Sequence, residues 1–378
     1  MPAPFADALA IARSMEPGIA ARSDEIEAAR RLPADLARQM ASAGLFRIAL
    51  PKSLGGMELA PADIIQTIEA VAQADAAVGW CLMIGSTTAV SLAYMPHAVA
   101  AGVFTAPDMI TGGVFAPMGK AVLEGGCYRV SGRWSWGSGT ANCAWIFGGA
   151  QIFADGAPKM LADGRPEQRM MLFPASDVTL HDSWHAAGLK GTGSGDFSVT
   201  DVRVPLERTV SLVCDKPVET GALYAFPVFG LLALGIAGAA CGNARAAMQA
   251  VKDLLGAKKP RGMVQAEVAI AEARLGAARA LLFESVGSAW EMAQGRGEID
   301  LETRARLRLA ATHMVRTAAD VTRIAYDLGG GSAVYLDSAL QRRFRDAHAM
   351  TQHVMVQPAT FELAGRVLLG LPTDASLL

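Results

Sequence analysis

The sequence is short of the features that mark secreted, membrane-anchored or nucleic-acid-binding chains. Its five cysteines, Cys81, Cys127, Cys143, Cys214 and Cys241, are odd in number, widely scattered and without a Cys-x-x-Cys pair. That excludes a disulfide framework and predicts reduced, mostly buried thiols in a cytoplasmic protein. Neither sign of charge is in excess: 34 Lys and Arg are interleaved with 36 Asp and Glu, which leaves no basic face for nucleic acid and no acidic tail. The first residues lack the basic start and apolar core of a signal peptide. No repeat of fixed period and no low-complexity segment is present. His181 and His185 lie in a loop-like stretch without a third ligand nearby, so no metal site is expected.

What is abundant is apolar surface, at 52% of residues. The stretches from Ala76 to Pro96 and from Leu223 to Asn243 are long enough to span a bilayer. Gly79, Gly85, Ser86 and two Thr interrupt the first, while Pro227 and many Gly and Ala punctuate the second. Both read as buried core helices, with no membrane partner. The small residues from Gly230 to Gly242 suit close helix packing inside the bundle or between subunits.

Periodicity divides the chain into three parts and gives an α+β class. Residues 1–108 carry helical spacing, as in ADLARQMASAGLF and ADIIQTIEAVAQ. Residues 109–215 change to β alternation, with Tyr128, Val130 and Trp134, then Phe197 and Val199, then Val202 and Val204. Residues 216–378 return to long, Ala-rich helical periods and read as a bundle.

Two glycine clusters invite a nucleotide reading. GLKGTGSG, Gly188 to Gly195, lacks the Lys-Ser/Thr ending of a phosphate loop and precedes a strand-like segment, so it reads as a hairpin turn. Gly329 to Gly331 follows a helix rather than a strand, which suits a helix C-cap better than a dinucleotide fingerprint. Among the histidines His353 has the most suggestive context, behind Arg342, Arg343, Arg345, Asp346 and His348. By itself it reads either as a satisfied polar residue or as a functional group. Ser138 in WSWGSG is a turn hydroxyl unless a ligand uses it.

Taken in order, several segments resemble the acyl-CoA dehydrogenase superfamily across nearly the whole chain. They are Gly44-Leu45, Pro51 and Gly55-Gly56, followed by QADAAVGW; GGCYRVSGRWSWGSG and GLKGTGSGDFSVTDVRVP; and LGGGSAVY followed by LQRRFRDA. The resemblance implies a helical N-terminal domain, a β-barrel-like middle and a C-terminal four-helix bundle, assembled as a homotetramer with flavin between the β domain and the bundle. It implies that Val114, Phe115, Trp136, Gly137 and Ser138 line the flavin ring, with Ser138 nearest N5. It further implies that Lys258 and Lys259 take the place of a phosphate-binding Arg, and that Gly329 and Gly330 hold the far end of the cofactor.

Many fatty-acyl members carry a catalytic Glu shortly after the RDA motif, but here the ungapped count from Arg345-Asp346-Ala347 falls on Val354, which cannot accept a proton. The tail RDAHAMTQHVMVQPATFELAGRVLLG, with ADAAVGW and WSWGSG, instead resembles the flavin-dependent monooxygenase branch. That branch implies reduced FMN or FAD from a separate flavin reductase. Dioxygen adds at the flavin C4a atom, and the hydroperoxide so formed transfers oxygen to a small aromatic or heteroaromatic substrate. His353 and Ser138 would be the catalytic pair, His353 bonding the peroxide or assisting substrate deprotonation, Ser138 on the N5 side. Some members place a second His after the VGW segment; this chain has Gly85-Ser86-Thr87. The alternatives are acyl-CoA dehydrogenation and a non-catalytic, flavin-binding subunit.

Overall fold

The computed structural model describes residues 7–258, 262–295 and 298–378. The chain opens with six helices whose ends follow from local chemistry. Asp7 Oδ1 accepts the Leu9 and Ala10 N–H groups and so caps α1 (Ala8–Ala20). There follow α2 (Ser23–Ala29), α3 (Ala34–Ser42), α4 (Pro61–Ala74), α5 (Ala76–Ala89) and α6 (His97–Ala101). In α3 the apolar spacing buries Leu36, Ala37, Met40 and Ala41, and the chain then turns at Gly44, whose φ of 89° suits glycine. Asp75 ends α4 and caps α5, its Oδ1 accepting from Ala77 N (2.9 Å) and Val78 N (3.1 Å).

The middle of the chain forms β1 (Thr111–Glu124), β2 (Cys127–Trp134), β3 (Trp145–Ala154), β4 (Ala157–Pro158), β5 (Gln168–Pro174), β6 (Thr179–Leu180), β7 (Phe197–Pro205) and β8 (Thr209–Val210). The sheet order is β6-β7-β2-β1-β3-β5-β8, with β4 on β3. Strands β1 and β3 pair parallel and the other pairings are antiparallel, so the sheet is mixed. The barrel-like closure expected from sequence is corrected: the order is an open path. Its end strands β6 and β8 are two residues each, too short to carry a closing ladder.

Burial alternates as the sequence indicates, and the change of phase between Val199 and Val202 has a visible cause. The β2–β7 register shifts there, with Asp201 at φ 57° and its N–H donating to Ser131 Oγ. That is the extra residue of a β-bulge. Trp134 is the largest fully buried side chain. It stacks on Phe197 at 5.1 Å and donates Nε1–H to Gly149 O at 2.6 Å. A Cβ at Gly119, Gly132 or Gly148 would lie 2.4, 2.8 or 2.7 Å from its ring. Gly119, Gly132 and Gly148 therefore form the slot that admits the indole.

The remaining helices are α7 (Ala222–Ala225), α8 (Val228–Lys258), α9 (Met263–Gln294), α10 (Leu301–Gly329), α11 (Ala339–Met350) and α12 (Ala359–Leu368). Along α8 the small residues let helices touch backbone to backbone: a Cβ at Gly238 would meet Ile65 O at 3.0 Å and one at Gly242 would meet Glu69 O at 2.2 Å. Glu69, only 2% exposed, then pairs with Arg245 (2.6 Å) and Arg279 (3.0 Å), tying α4 to α8 and α9. Among the described residues two helical stretches, Ala76–Tyr94 and Val228–Gly256, are long and apolar enough to cross a membrane, and 89% of the apolar window of each is buried inside the protein. They are core helices here.

The Trp134 slot sets a stability test. Gly148→Ala should cost about 2 kcal/mol or more through overpacking. Gly125→Ala, at φ 57° with open space around it, should cost about 1 kcal/mol from backbone conformation alone. Urea denaturation of the two variants checks the ranking, and equal losses would show that the glycines do not form the slot.

Candidate active site

The site grows from the way α5 is seated. A Cβ at Gly79 would lie 2.4 Å from Ala72 Cβ, and one at Gly85 would lie 2.5 Å from the Phe46 ring. The helix is therefore held close to its neighbours and presents Trp80, 5% exposed, to the β domain. The indole has two partners. Its Nε1–H donates to Ser138 Oγ at 3.1 Å, and its ring meets the His353 ring edge-on at 5.8 Å. Trp80 thus joins the two residues that the sequence singled out, 215 positions apart in the chain (353 minus 138).

Ser138 sits in a turn bracketed by left-handed residues, Trp136 at φ 68° and Gly139 at φ 71°. Two backbone bonds, Gly137 N–H to Gly195 O and Gly139 N–H to Thr192 O, both 2.9 Å, latch this turn to the GLKGTGSG loop. The side chains continue the latch: Ser138 Oγ to Ser194 Oγ is 2.6 Å, and Ser194 Oγ to Thr192 Oγ1 is 2.5 Å. At the far end Thr192 Oγ1 donates to Leu189 O at 2.8 Å. Each hydroxyl has one proton, so this end fixes the direction of the row. Ser194 donates to Thr192, and Ser138 donates to Ser194. With Trp80 donating to it, Ser138 keeps one free lone pair and no free proton.

The loop is in turn held by the LQRRFRDA segment of α11. Leu189, left-handed at φ 52°, donates its N–H to Asp346 Oδ1 at 2.6 Å. Arg345 Nη1 donates to Ala187 O at 2.6 Å, and a Cβ at Gly188 would lie 2.1 Å from Arg345 O. Arg343 donates to Ala72 O, Gln73 O and Ala74 O at 2.9, 2.8 and 2.7 Å, capping α4 just before Asp75 starts α5. Arg342 and Arg345 both bind Glu27 of α2, and Lys190 reaches the same carboxylate at 3.2 Å. The charged run therefore organises three segments around Trp80. The loop reading as a turn is refined: Gly188 to Gly195 lies in a long connection between antiparallel β6 and β7.

His353 follows α11, and its Nδ1 accepts Met355 N–H at 3.2 Å. Its neutral form consequently carries the proton on Nε2. Burial, with the nearby charge of Arg308, lowers its pKa to about 4. Asp346 shifts the other way: burial raises its carboxyl to about 7, against the Leu189 N–H bond that favours the ionised form.

The other expected site residues fall in several places. Val114 and Phe115 lie where the β1–β3 register shifts, between Val114 and Gly119, and Phe115 packs edge-on against Phe229 of α8 at 4.9 Å. Gly112, two residues before Val114, is close enough that a Cβ would lie 3.7 Å from Ser138 O. Trp136 is 64% exposed at the rim of the turn. Half-buried apolar side chains, an exposed indole and an inward hydroxyl with a spare lone pair suit a planar polar ring such as a flavin. Gly329 ends α10 and Gly330 is its C-cap at φ 56°, as the C-cap reading expects. Lys259 and the Lys258 side chain lie outside the described residues. Val354 is 63% exposed. Ser86 and Thr87 are buried and bond to Leu45 O and Met83 O within the helical core. Among the described residues no three His, Cys, Asp or Glu are grouped to hold a metal ion.

Trp80, Thr192, Ser194 and Asp346 were not foreseen as site residues. Trp80 lies in the VGW segment and the two hydroxyls in the GLKGTGSG loop, but nothing in their local spacing says that they converge.

The chain matches the family descriptions "Acyl-CoA dehydrogenase, N-terminal domain" over residues 9–97 and "Acyl-CoA dehydrogenase, C-terminal domain" over residues 234–358. It is 32% identical to indole-3-acetate monooxygenase of Pseudomonas putida, over 93% of this chain and 90% of that protein. It is 29% identical to the FADH(2)-dependent resorcinol hydroxylase, oxygenase component, of Rhizobium sp. strain MTP-10005, over 92% and 90%. The crystal structure of 3-HSA hydroxylase from Rhodococcus sp. RHA1 superposes with a TM-score of 0.93 at 25% identity, covering 99% of both chains.

The two shifted groups predict opposite responses to acid. For His353 the unfolded chain, with an ordinary pKa of 6.5, binds the proton before the folded chain does, so its contribution is lost as pH falls from 6.5 to about 4. For Asp346 the folded chain holds a proton up to about pH 7 that the unfolded carboxyl, at 3.8, has released, so its contribution is lost as pH rises through 4 to 7. Relative to the parent protein, His353→Gln should lose less stability between pH 7 and 4.5, and Asp346→Asn should lose more. Thermal melts across that range check this. Shifts of the same sign in both variants would contradict it.

Proposed function

The chain belongs to the acyl-CoA dehydrogenase family, in its flavin-dependent monooxygenase branch, and from that premise we propose that it oxygenates a small aromatic or heteroaromatic substrate using reduced flavin and dioxygen. The observation that carries this reading is the Ser138–Trp80–His353 contact, with Val354 rather than a carboxylate in the position a dehydrogenase needs. Similarity to proteins named for indole-3-acetate and resorcinol supports an aromatic substrate.

Bound reduced flavin supplies the two electrons that let dioxygen give one atom to substrate and the other to water. The protein's residues have distinct tasks around it. Ser138, its own proton committed to Ser194, offers an acceptor to a ring N–H and holds the N5 side in place. Val114, Phe115, Trp136 and Gly137 would cover the ring. His353 is neutral at physiological pH, with Nδ1 engaged by Met355 N–H, so it serves as an Nε2–H donor to oxygen in the cleft rather than as a strong base. Trp80 keeps the serine and the histidine in one geometry and helps to exclude water.

The finer organisation belongs to the same reading. Helices α8 to α11 form a four-helix bundle, four chains assemble, and a neighbouring subunit completes the flavin site. A separate reductase supplies FMNH2 or FADH2. The protein works in the cytoplasm.

The test is incorporation of label from 18O2. With chemically reduced flavin and indole-3-acetate or resorcinol, one labelled oxygen should enter each product molecule. NADH or NADPH alone should give negligible turnover, and adding a flavin reductase should restore it. His353→Ala should retain fold and flavin binding while product formation drops by roughly a hundred- to ten-thousand-fold and hydrogen peroxide release rises. Ser194→Ala should lower the product yield through loss of the Ser138 orientation. Dye-linked oxidation of saturated acyl-CoA thioesters without oxygen incorporation would instead establish the dehydrogenase alternative.

A further inference from the structure

Arg308, on α10, is 3% exposed, yet its guanidinium has no carboxylate partner among the described residues. Its Nη2 donates to Phe229 O at 3.3 Å and Leu377 O at 2.5 Å, and its Nε has no hydrogen-bond partner. A buried cation answered only by carbonyl oxygens is costly, because neutral dipoles replace water poorly around a full charge. Arg304, one turn earlier on α10, is answered in a similar way, with an unpartnered Nε and Nη2 on Ala375 O at 3.3 Å, whereas other arginines are answered differently or elsewhere. Arg343 spends its donors on the three carbonyls that end α4, and Arg47, also with an unpartnered Nε, lies beside Phe104 in the N-terminal helical part.

Place distinguishes Arg308. Its acceptor Phe229 is the residue whose ring packs on Phe115, one of the side chains expected to cover the flavin ring. Its charge also bears on His353 strongly enough to help keep that imidazole neutral. Helix α10, which carries Arg308, packs against the Val354–Val356 turn that His353 opens, so the cation and the histidine lie in one region of the fold.

We propose that Arg308 recognises a carboxylate on the substrate, so that the natural substrate is an aryl or heteroaryl carboxylate rather than a neutral arene. This inference rests on the reading of the His353 region as the oxygenation site. Nε and Nη2 lie on one edge of the guanidinium, the geometry that grips a carboxylate with two parallel bonds. The carboxylate takes the unpartnered Nε–H and replaces the Leu377 carbonyl on Nη2. The arene then extends toward Phe115, Phe229 and His353, and the C-terminal segment around Leu377 moves aside.

Calorimetric titration of the full chain with matched pairs, indole-3-acetate against indole-3-acetamide and phenylacetate against phenylacetamide, tests this without a variant. The acids should bind at least roughly tenfold more tightly than the amides. In Arg308→Gln the acids should fall to the affinity of the amides, and Arg308→Lys should retain part of the preference. Circular dichroism confirms that the variants fold. Equal binding of acid and amide, failure of either acid to bind, or an undiminished acid preference in Arg308→Gln would overturn the proposal and leave Arg308 as an anchor for the C-terminal segment. Acid preference without incorporation of 18O would sink the oxygenase reading while leaving this one standing; oxygenation without acid preference would do the reverse.

Discussion

The hydrogen bond from the Leu189 N–H to the buried Asp346 carboxyl is the most deeply buried of the ties that join the glycine-rich loop to α11, with Arg345 on Ala187 O beside it. On one side of it is α11, tied to α4 by Arg343 and to α2 by Arg342 and Arg345. On the other is the glycine-rich loop whose Thr192 and Ser194 set the direction of the Ser138 hydroxyl. Without this set of ties the serine would be a turn residue of the sheet and His353 a polar residue of the bundle. With it, both meet Trp80.

Electrostatics within this small region are built on absence of compensation. Asp346 is buried deeply enough to hold its proton near neutrality, His353 is buried deeply enough to lose it, and Arg308 keeps a charge that no acid answers. Groups shifted in opposite directions across a few helical turns are characteristic of a site prepared for chemistry. Burying such groups costs stability, which the hydrogen bonds of Asp346 and His353 offset only in part.

Much of the architecture was legible in the sequence because it rests on periodicity. The spacing of Leu36, Ala37 and Met40 marks a helix, and the alternation of Tyr128, Val130 and Trp134 marks a strand; both are local patterns. Even the phase change at Asp201 was written in the positions of the valines, though its cause, a bulge, was not. The openness of the sheet was not legible, since closure depends on the lengths of β6 and β8 and on what they pair with. His353 and Ser138 could be singled out by motif. Trp80 and Ser194 could not, since their importance comes from convergence across 58 and 56 residues of chain relative to Ser138. Arg308 has no motif at all: it sits among Arg and Leu on a long helix, and only its burial without an acidic partner among the described residues gives it meaning.

The ion pair between Glu27 and Arg342 closes a span of 315 residues. Contacts of such sequence separation are the slowest to be found by a folding chain, because loop-closure entropy is spent before they give anything in return. The long helices and the β1–β2 hairpin depend on near neighbours and can form early. The surroundings of Trp80 depend on contacts between distant parts of the polypeptide and on the loop between β6 and β7, which places them among the slower regions to assemble. A newly made chain in which α5 and α8 formed before α4 and α10 covered them would expose two of its most apolar helices. That stage is where demand for chaperones and risk of aggregation would concentrate.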